Sequence, residues 1–148
     1  MQYHEALQTL AKDFDPFVHI KPEEIVDETK NFFVIPARAP YIENHLLVIP
    51  KRKVYILKDL EHHEREEMFE LLENWTIKLH KNHNDVNLLL RDWLVWWNTK
   101  KSVNHLHFHL IPDCPIWAEN NLNSEKREWF DNEKYANITQ EIREKFLD

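Results

Sequence analysis

A single domain mixing strands and helices is the fold this sequence predicts, on three observations. Residues 64–83 carry Met68, Leu71, Leu72, Trp75 and Leu79 at spacings of 3, 1, 3 and 4, which gives one apolar stripe along a helix. Apolar runs of strand length lie before and after it, at Phe32-Phe33-Val34-Ile35, Leu46-Leu47-Val48-Ile49 and Leu88-Leu89-Leu90. His105-Leu106-His107-Phe108-His109-Leu110-Ile111 alternates strictly, the period of a strand with two unlike faces. A core helix packed across a sheet follows. A chain of 148 residues fits one domain and one core, and it contains no internal repeat, linker or low-complexity segment.

Taken in order, residues 3–11 predict a short helix with Tyr3, Leu7 and Leu10 on one side, stopped before Asp15-Pro16. Pro22-Glu23-Glu24 predicts a helical turn. Residues 25–28 and 32–35 predict two strands joined by Thr29-Lys30-Asn31 as a hairpin. Pro36-Ala37-Arg38-Ala39-Pro40 breaks the pattern, and Asn44-His45 then leads into an apolar strand that Pro50 stops. After the helix at 64–83, with His80 and His83 toward its end, Asn84-Asp85 is a turn and residues 86–91 the next strand. The last strand is expected over residues 103–111, closed by Pro112. The tail predicts one helix over residues 125–135 and another over 140–146 behind Thr139 as N-cap.

Composition narrows the function. The net charge of −7 argues against a nucleic-acid duplex as partner, while leaving room for a small phosphate pocket with local positive charge. The single cysteine, Cys114, has no internal disulfide partner, and the Met1-Gln2-Tyr3-His4-Glu5 start lacks the basic and apolar regions of a secretory signal. A cytoplasmic location is expected. No apolar run approaches the roughly 20 residues of a membrane span, so no membrane partner is expected. Glycine is absent, which removes the Gly-rich phosphate loop, the dinucleotide fingerprint and the glycine-flanked nucleophile elbow. Asparagine is the residue left to take turns with positive φ.

The histidine row allows three readings. It is the exposed face of a half-buried strand, a metal-binding row, or a catalytic array. Metal binding fits poorly, because alternate residues on a strand stand roughly 6.5–7 Å apart whereas zinc needs nitrogens converging at about 2 Å. Catalysis is favoured. His107, in the middle, is the best nucleophile, since both neighbours address the same bound group. Phosphorus is the better electrophile, because its anionic oxygens suit flanking histidines, a hydroxyl and a lysine. Lys100, Lys101 and Ser102 lie just before the row, and no acidic cluster beside it calls for magnesium or another cofactor. His45, at the mouth of its strand, is a capping or loop histidine or a fourth member of the site. Lys51-Arg52-Lys53 is a solvated loop or an attractor of anions. Trp93, Trp96 and Trp97 suit a core or interface, or stacking on a base.

These residues resemble the histidine-triad superfamily, whose signature alternates three histidines with apolar residues as residues 105–111 do. Asn44-His45-Leu46-Leu47-Val48-Ile49-Pro50-Lys51 is similar to the family's turn-His-x-Leu-Val-x-Pro-Lys segment, and Ser102-Val103 to its Gln-Ser/Thr-Val lead-in. The similarity extends over residues 25–112, with 1–24 and 113–148 as accessory extensions of a single domain. The resemblance implies an α+β fold with an antiparallel sheet of about five strands and a long helix, here with extra terminal helices, and a homodimer, as in many members. It also implies hydrolysis or transfer of nucleotides at the α-phosphate, on nucleoside phosphoramidates or dinucleoside polyphosphates. By resemblance His107 attacks phosphorus, His109 contacts phosphate oxygens and assists the leaving group, His105 and His45 form the supporting network, and Ser102 reaches toward the leaving group.

Three positions depart from the family pattern. Asn44 replaces the usual glycine, which suits a turn with positive φ. Lys100-Lys101 replace Gly-Gln. Ala37 stands where the family commonly has an Asp or Asn that holds the ribose hydroxyls. A changed nucleoside pocket using Arg38 and the tryptophan segment, or a different phosphate-containing substrate, is therefore expected. Candidate catalytic residues are His107, His109, His105 and His45. Candidate substrate contacts are Ser102, Lys101, Lys100, Asn44 and Arg38. Two alternatives stay open: a non-catalytic nucleotide-binding or scaffolding protein, and a hexose-phosphate nucleotidyltransferase-like enzyme, whose chains are longer and whose triad normally reads His-Pro-His.

Overall fold

The computed structural model describes residues 1–9, 15–90, 105–114 and 127–147. Its elements run α1 (Tyr3–Thr9), β1 (Asp27–Glu28), β2 (Phe32–Pro36), β3 (Leu46–Pro50), α2 (His62–Leu79), β4 (Val86–Leu90), β5 (Phe108–Pro112) and α3 (Asn132–Phe146), with short 3-10 turns at Pro16–Val18, Pro22–Glu24 and Leu57–Asp59. The five strands form one antiparallel sheet in the order β1-β2-β3-β5-β4. This is the α+β architecture with a long helix and additional terminal helices.

The period-two rule explains the sheet's two faces. Phe32, Val34, Leu46, Val48, Leu106 and Leu110 point to one side and pack with Met68, Leu71, Leu72, Trp75 and Leu79 of α2 and with Ile142 and Phe146 of α3. Ile35, Leu47 and Ile49 point to the other side, where Phe17 and Ala37 cover them. All of β3 is buried, as its unbroken apolar run requires. The functional face is therefore the one turned away from α2.

Polar contacts fix how α2 meets the hairpin. Trp75 is fully buried, and its indole N–H donates to Asp27 Oδ2 at 3.0 Å. Glu67 accepts from both the backbone N–H and the amide of Asn31 at 2.9 and 2.7 Å, tying the turn between β1 and β2 to the helix. At the helix start, Glu64 accepts from the Glu61 N–H at 2.9 Å and pairs with Arg52. Those bonds satisfy a buried carboxylate and an N-terminal amide together.

Three sequence expectations are corrected here. The last strand begins at Phe108, so residues 105–107 precede the ladder and have other partners. The helix α2 ends at Leu79 with His80 as its cap; His83 lies in the following turn, where its Nδ1–H donates to Asp113 Oδ2 at 2.8 Å. Asp113 also accepts from the N–H groups of Asn84 and Asp85. In the tail, one helix spans Asn132–Phe146 with Asp131 as N-cap, its carboxylate accepting from the Lys134 N–H. Thr139 caps nothing; its buried hydroxyl donates to the Tyr135 carbonyl at 2.8 Å, a back-bond that lets threonine sit mid-helix.

Candidate functional site

The site lies where β3 and β5 run side by side in the middle of the sheet. Leu47 is paired with His109, and His45, Leu47, His107 and His109 line one cavity. Phe17, Ile20, Ile35 and Ala37 form its apolar wall, and Glu24, Arg38, Arg127, Trp129 and Tyr135 lie around it. The rings of His107 and His109 are 5.0 Å apart and those of His45 and His109 5.1 Å. Among the described residues, no three His, Cys, Asp or Glu side chains are grouped to hold a metal ion.

Hydrogen bonds assign each ring its proton. The Nδ1 of His107 lies 2.8 Å from the His105 carbonyl. A carbonyl only accepts, so Nδ1 carries the proton and a neutral ring keeps its lone pair on Nε2. The Tyr41 backbone N–H donates to His45 Nδ1 at 3.2 Å, so His45 carries its proton on Nε2 and donates to His109 Nδ1 at 2.8 Å. The proton of a neutral His109 then sits on Nε2. Burial first, then the positive charges of Arg127 and His107, push the pKa of His45 down to about 3, so His45 is neutral through the ordinary pH range.

His105 is fully buried and engaged at both ends. Its Nε2 lies 2.9 Å from the Pro50 carbonyl and its Nδ1 lies 2.8 Å from Asp15 Oδ2. Asp15 also accepts from the Phe17 N–H at 2.9 Å and pairs with Lys53 at 3.1 Å. Burial alone raises the Asp15 pKa, but the hydrogen bond and charge of His105, with Phe17 and Lys53, outweigh it and hold the carboxyl below its ordinary value.

The other sequence candidates have distinct surroundings. Asn44 takes φ 66°, the turn geometry its sequence position suggested, and its amide donates to His83 Nε2 at 3.0 Å. Arg38 lines the cavity but reaches the tail: its Nε donates to the Phe130 carbonyl at 2.7 Å, a second nitrogen donates to Asn132 Oδ1, and its guanidinium stacks 4.6 Å over Tyr135. Ala37 is buried beside these groups. Lys100, Lys101, Ser102 and the tryptophans at 93, 96 and 97 lie outside the described residues.

Sequence reasoning missed Asp15, which it used only as a helix stop, and Tyr41 and Arg127. Arg127 donates to the Ala39 carbonyl and stacks 4.2 and 4.0 Å over Tyr3 and Tyr41. Tyr3 and Arg127 come from opposite ends of the chain, joined where Gln2 bridges Glu128 and the Tyr3 N–H donates to the Arg127 carbonyl at 2.7 Å. No local motif could have shown these contacts.

Residues 19–115 match the HIT domain family. The chain belongs to that family. HIT-domain membership gives it the general character of a nucleotide hydrolase or transferase working through a histidine nucleophile. It is 29% identical over 110 residues to the bis(5'-adenosyl)-triphosphatase of Dictyostelium discoideum, covering 73% of this chain and 71% of that protein. It is also 29% identical over 96 residues to the nitrilase and fragile histidine triad fusion protein NitFhit of Caenorhabditis elegans, covering 64% of this chain and 21% of the fusion protein. The crystal structure of NitFhit superposes with a TM-score of 0.64 at 24% identity, over 84% of this chain and 28% of that one. A Hit-like protein from Bartonella henselae superposes with a TM-score of 0.65 at 21% identity, over 87% and 90% of the two chains. These superpositions establish the shared fold.

Proposed function

We propose that this HIT-domain protein hydrolyses or transfers nucleotides at the α-phosphate through a covalent nucleotidyl-histidine on His107, taking dinucleoside polyphosphates or nucleoside phosphoramidates as substrates. The observation that carries this reading is the bond from His107 Nδ1–H to the His105 carbonyl, because it leaves the Nε2 lone pair as the nucleophile. In the first step Nε2 attacks the α-phosphorus, a P–N bond forms, and the bond from phosphorus to the leaving group breaks with its electron pair departing on that group. In the second step water attacks the same phosphorus, the P–N bond breaks, and His107 is restored as a nucleoside monophosphate is released.

His109 supports both steps as a donor: the His45 N–H on its Nδ1 places the proton of a neutral His109 on Nε2, the tautomer that donates to phosphate oxygens as charge redistributes. The apolar wall of Phe17, Ile20, Ile35 and Leu47 suits a nucleobase, while Ala37 offers the ribose nothing polar and the carboxylate on that side is Glu24. The Dictyostelium relative, named for its action on a dinucleoside triphosphate, favours the polyphosphate branch. Ser102 is assigned to the leaving group by the sequence resemblance, Lys100 and Lys101 by their charge, and a homodimer in the cytoplasm is part of the same reading.

The test is turnover of a panel: a fluorogenic nucleoside phosphoramidate, dinucleoside tri- and tetraphosphates, and a sugar nucleotide with hexose phosphate. Wild type should turn over one of the first two classes, H107A none, and a labelled nucleotide should be trapped on His107 after acid-free denaturation. Label on another residue overturns the assignment. Nucleotide binding without turnover supports the non-catalytic alternative, and activity confined to the sugar-nucleotide pair supports the transferase one.

A further inference from the structure

We propose that Asp15 is a positioning residue for the reaction, holding His105 as a charged ring so that its carbonyl stays aimed at His107; this rests on the reading of His107 as nucleophile. Asp15 lies ahead of the residues that match the family, so the family's own motif does not supply it. Both nitrogens of His105 face oxygen acceptors, Asp15 Oδ2 at 2.8 Å and the Pro50 carbonyl at 2.9 Å. Two acceptors require two donors. On this count His105 is an imidazolium, fully buried, with its charge compensated by Asp15, and among the described residues the other charged group facing Asp15 is Lys53.

Two consequences meet at the reacting nitrogen. A ring anchored at both ends cannot turn, which fixes the peptide carbonyl of the same residue, the acceptor of the His107 Nδ1–H. The second oxygen of Asp15 holds the Phe17 N–H, and the Phe17 ring lies edge-on to His105 and His107 with centroids 5.7 and 5.2 Å away. One carboxylate thus sets both the hydrogen-bond acceptor and the packing wall of the nucleophile. Without its charge, a buried imidazolium loses its counter-ion and sheds a proton, and one of the two anchors of His105 goes with it.

The experiment uses the full chain and the variant D15N, which keeps the shape and an acceptor for Phe17 but removes the charge. Two quantities are read: kcat and KM on a dinucleoside triphosphate, and the 15N shifts of the His105 ring. We expect wild-type His105 to be doubly protonated at pH 7.5 and singly protonated in D15N. In the variant, kcat should fall roughly 10- to 100-fold from lost alignment while KM stays within about twofold. H107A should leave the His105 spectrum of the wild type intact. A D15N enzyme with wild-type kcat, or a singly protonated His105 in the wild type, overturns the inference. Should D15N fail to fold, the wild-type nitrogen spectrum decides alone. If H107A retains turnover, the reading of His107 falls, whereas the His105 spectrum still reports whether Asp15 holds a charged ring.

Discussion

His45 donates its Nε2–H to His109 across 2.8 Å, and it does so because the Tyr41 N–H already occupies the opposite nitrogen. A protonated His45 would bring an N–H against the N–H of Tyr41. The residue is thus built to stay neutral, in keeping with its lowered pKa.

That neutrality sets a pH dependence of stability. The folded value of about 3 lies below the ordinary 6.5, so between the two the unfolded chain binds a proton that the native protein does not. Stability contributed in this way is full above about pH 6.5 and declines as the pH falls toward 3. The carboxyls of Asp15, Glu64, Glu67 and Asp113 are also held low, from ordinary values of 3.8 and 4.5. Their contribution is present above those values and is lost only as pH falls through the lower folded ones. Urea midpoints should therefore drop between pH 6.5 and 5, before the carboxylates titrate, and H45N should flatten that drop. Equal slopes in both proteins would falsify it.

Asn44 gives a backbone prediction. Both N44G and N44V lose the amide bond to His83, but only glycine accepts the φ of 66° without penalty. N44V should be less stable than N44G by roughly 1–2 kcal/mol, measured by equilibrium urea unfolding. Indistinguishable midpoints would show that the turn relaxes.

Trp75 separates stability from chemistry, since it lies on the α2 side of the sheet, away from the histidines. W75A should lose about 3–5 kcal/mol, followed by far-ultraviolet circular dichroism, with W75F losing less. Well below its transition, W75F should keep wild-type kcat. A large loss of kcat in folded W75F would show that the two faces of the sheet are coupled.

Lys100 and Lys101 predict a substrate preference on sequence grounds. The wild type should favour leaving groups that carry more phosphate charge, and the double variant K100A/K101A should lose most of that preference, more so at low salt. A flat rate profile across one, two and four phosphates in the wild type counts against it.

The sequence made the local periodicities legible and the long-range partners illegible. Residues 32–36, 46–50 and 86–90 were visible as strands because their apolar runs are short and bounded, and α2 because its stripe keeps helical spacing. The row of histidines pointed to the site, and Asn44 to its turn. Residues 105–107 looked like strand, yet His105 is drawn to Asp15 and Pro50 and the ladder starts after it. Thr139 looked like a cap because the same hydroxyl that caps a helix start also back-bonds within one. Asp15, Tyr41 and Arg127 left no periodic trace, since each acts through a partner distant in sequence or through its own backbone N–H.

The order of the strands has a consequence for how the protein is made. His45 and His109 are 64 residues apart, and the strand carrying His109 is the last of the described strands to be synthesised, yet it inserts between β3 and β4 in the interior of the sheet. Until β5 is made, β3 and β4 lack the strand that lies between them in the sheet. Pairing β5 with both neighbours is a non-local step, and the same step completes the sheet and sets His109 beside His45. Completion of the sheet and of the histidine cluster therefore coincide.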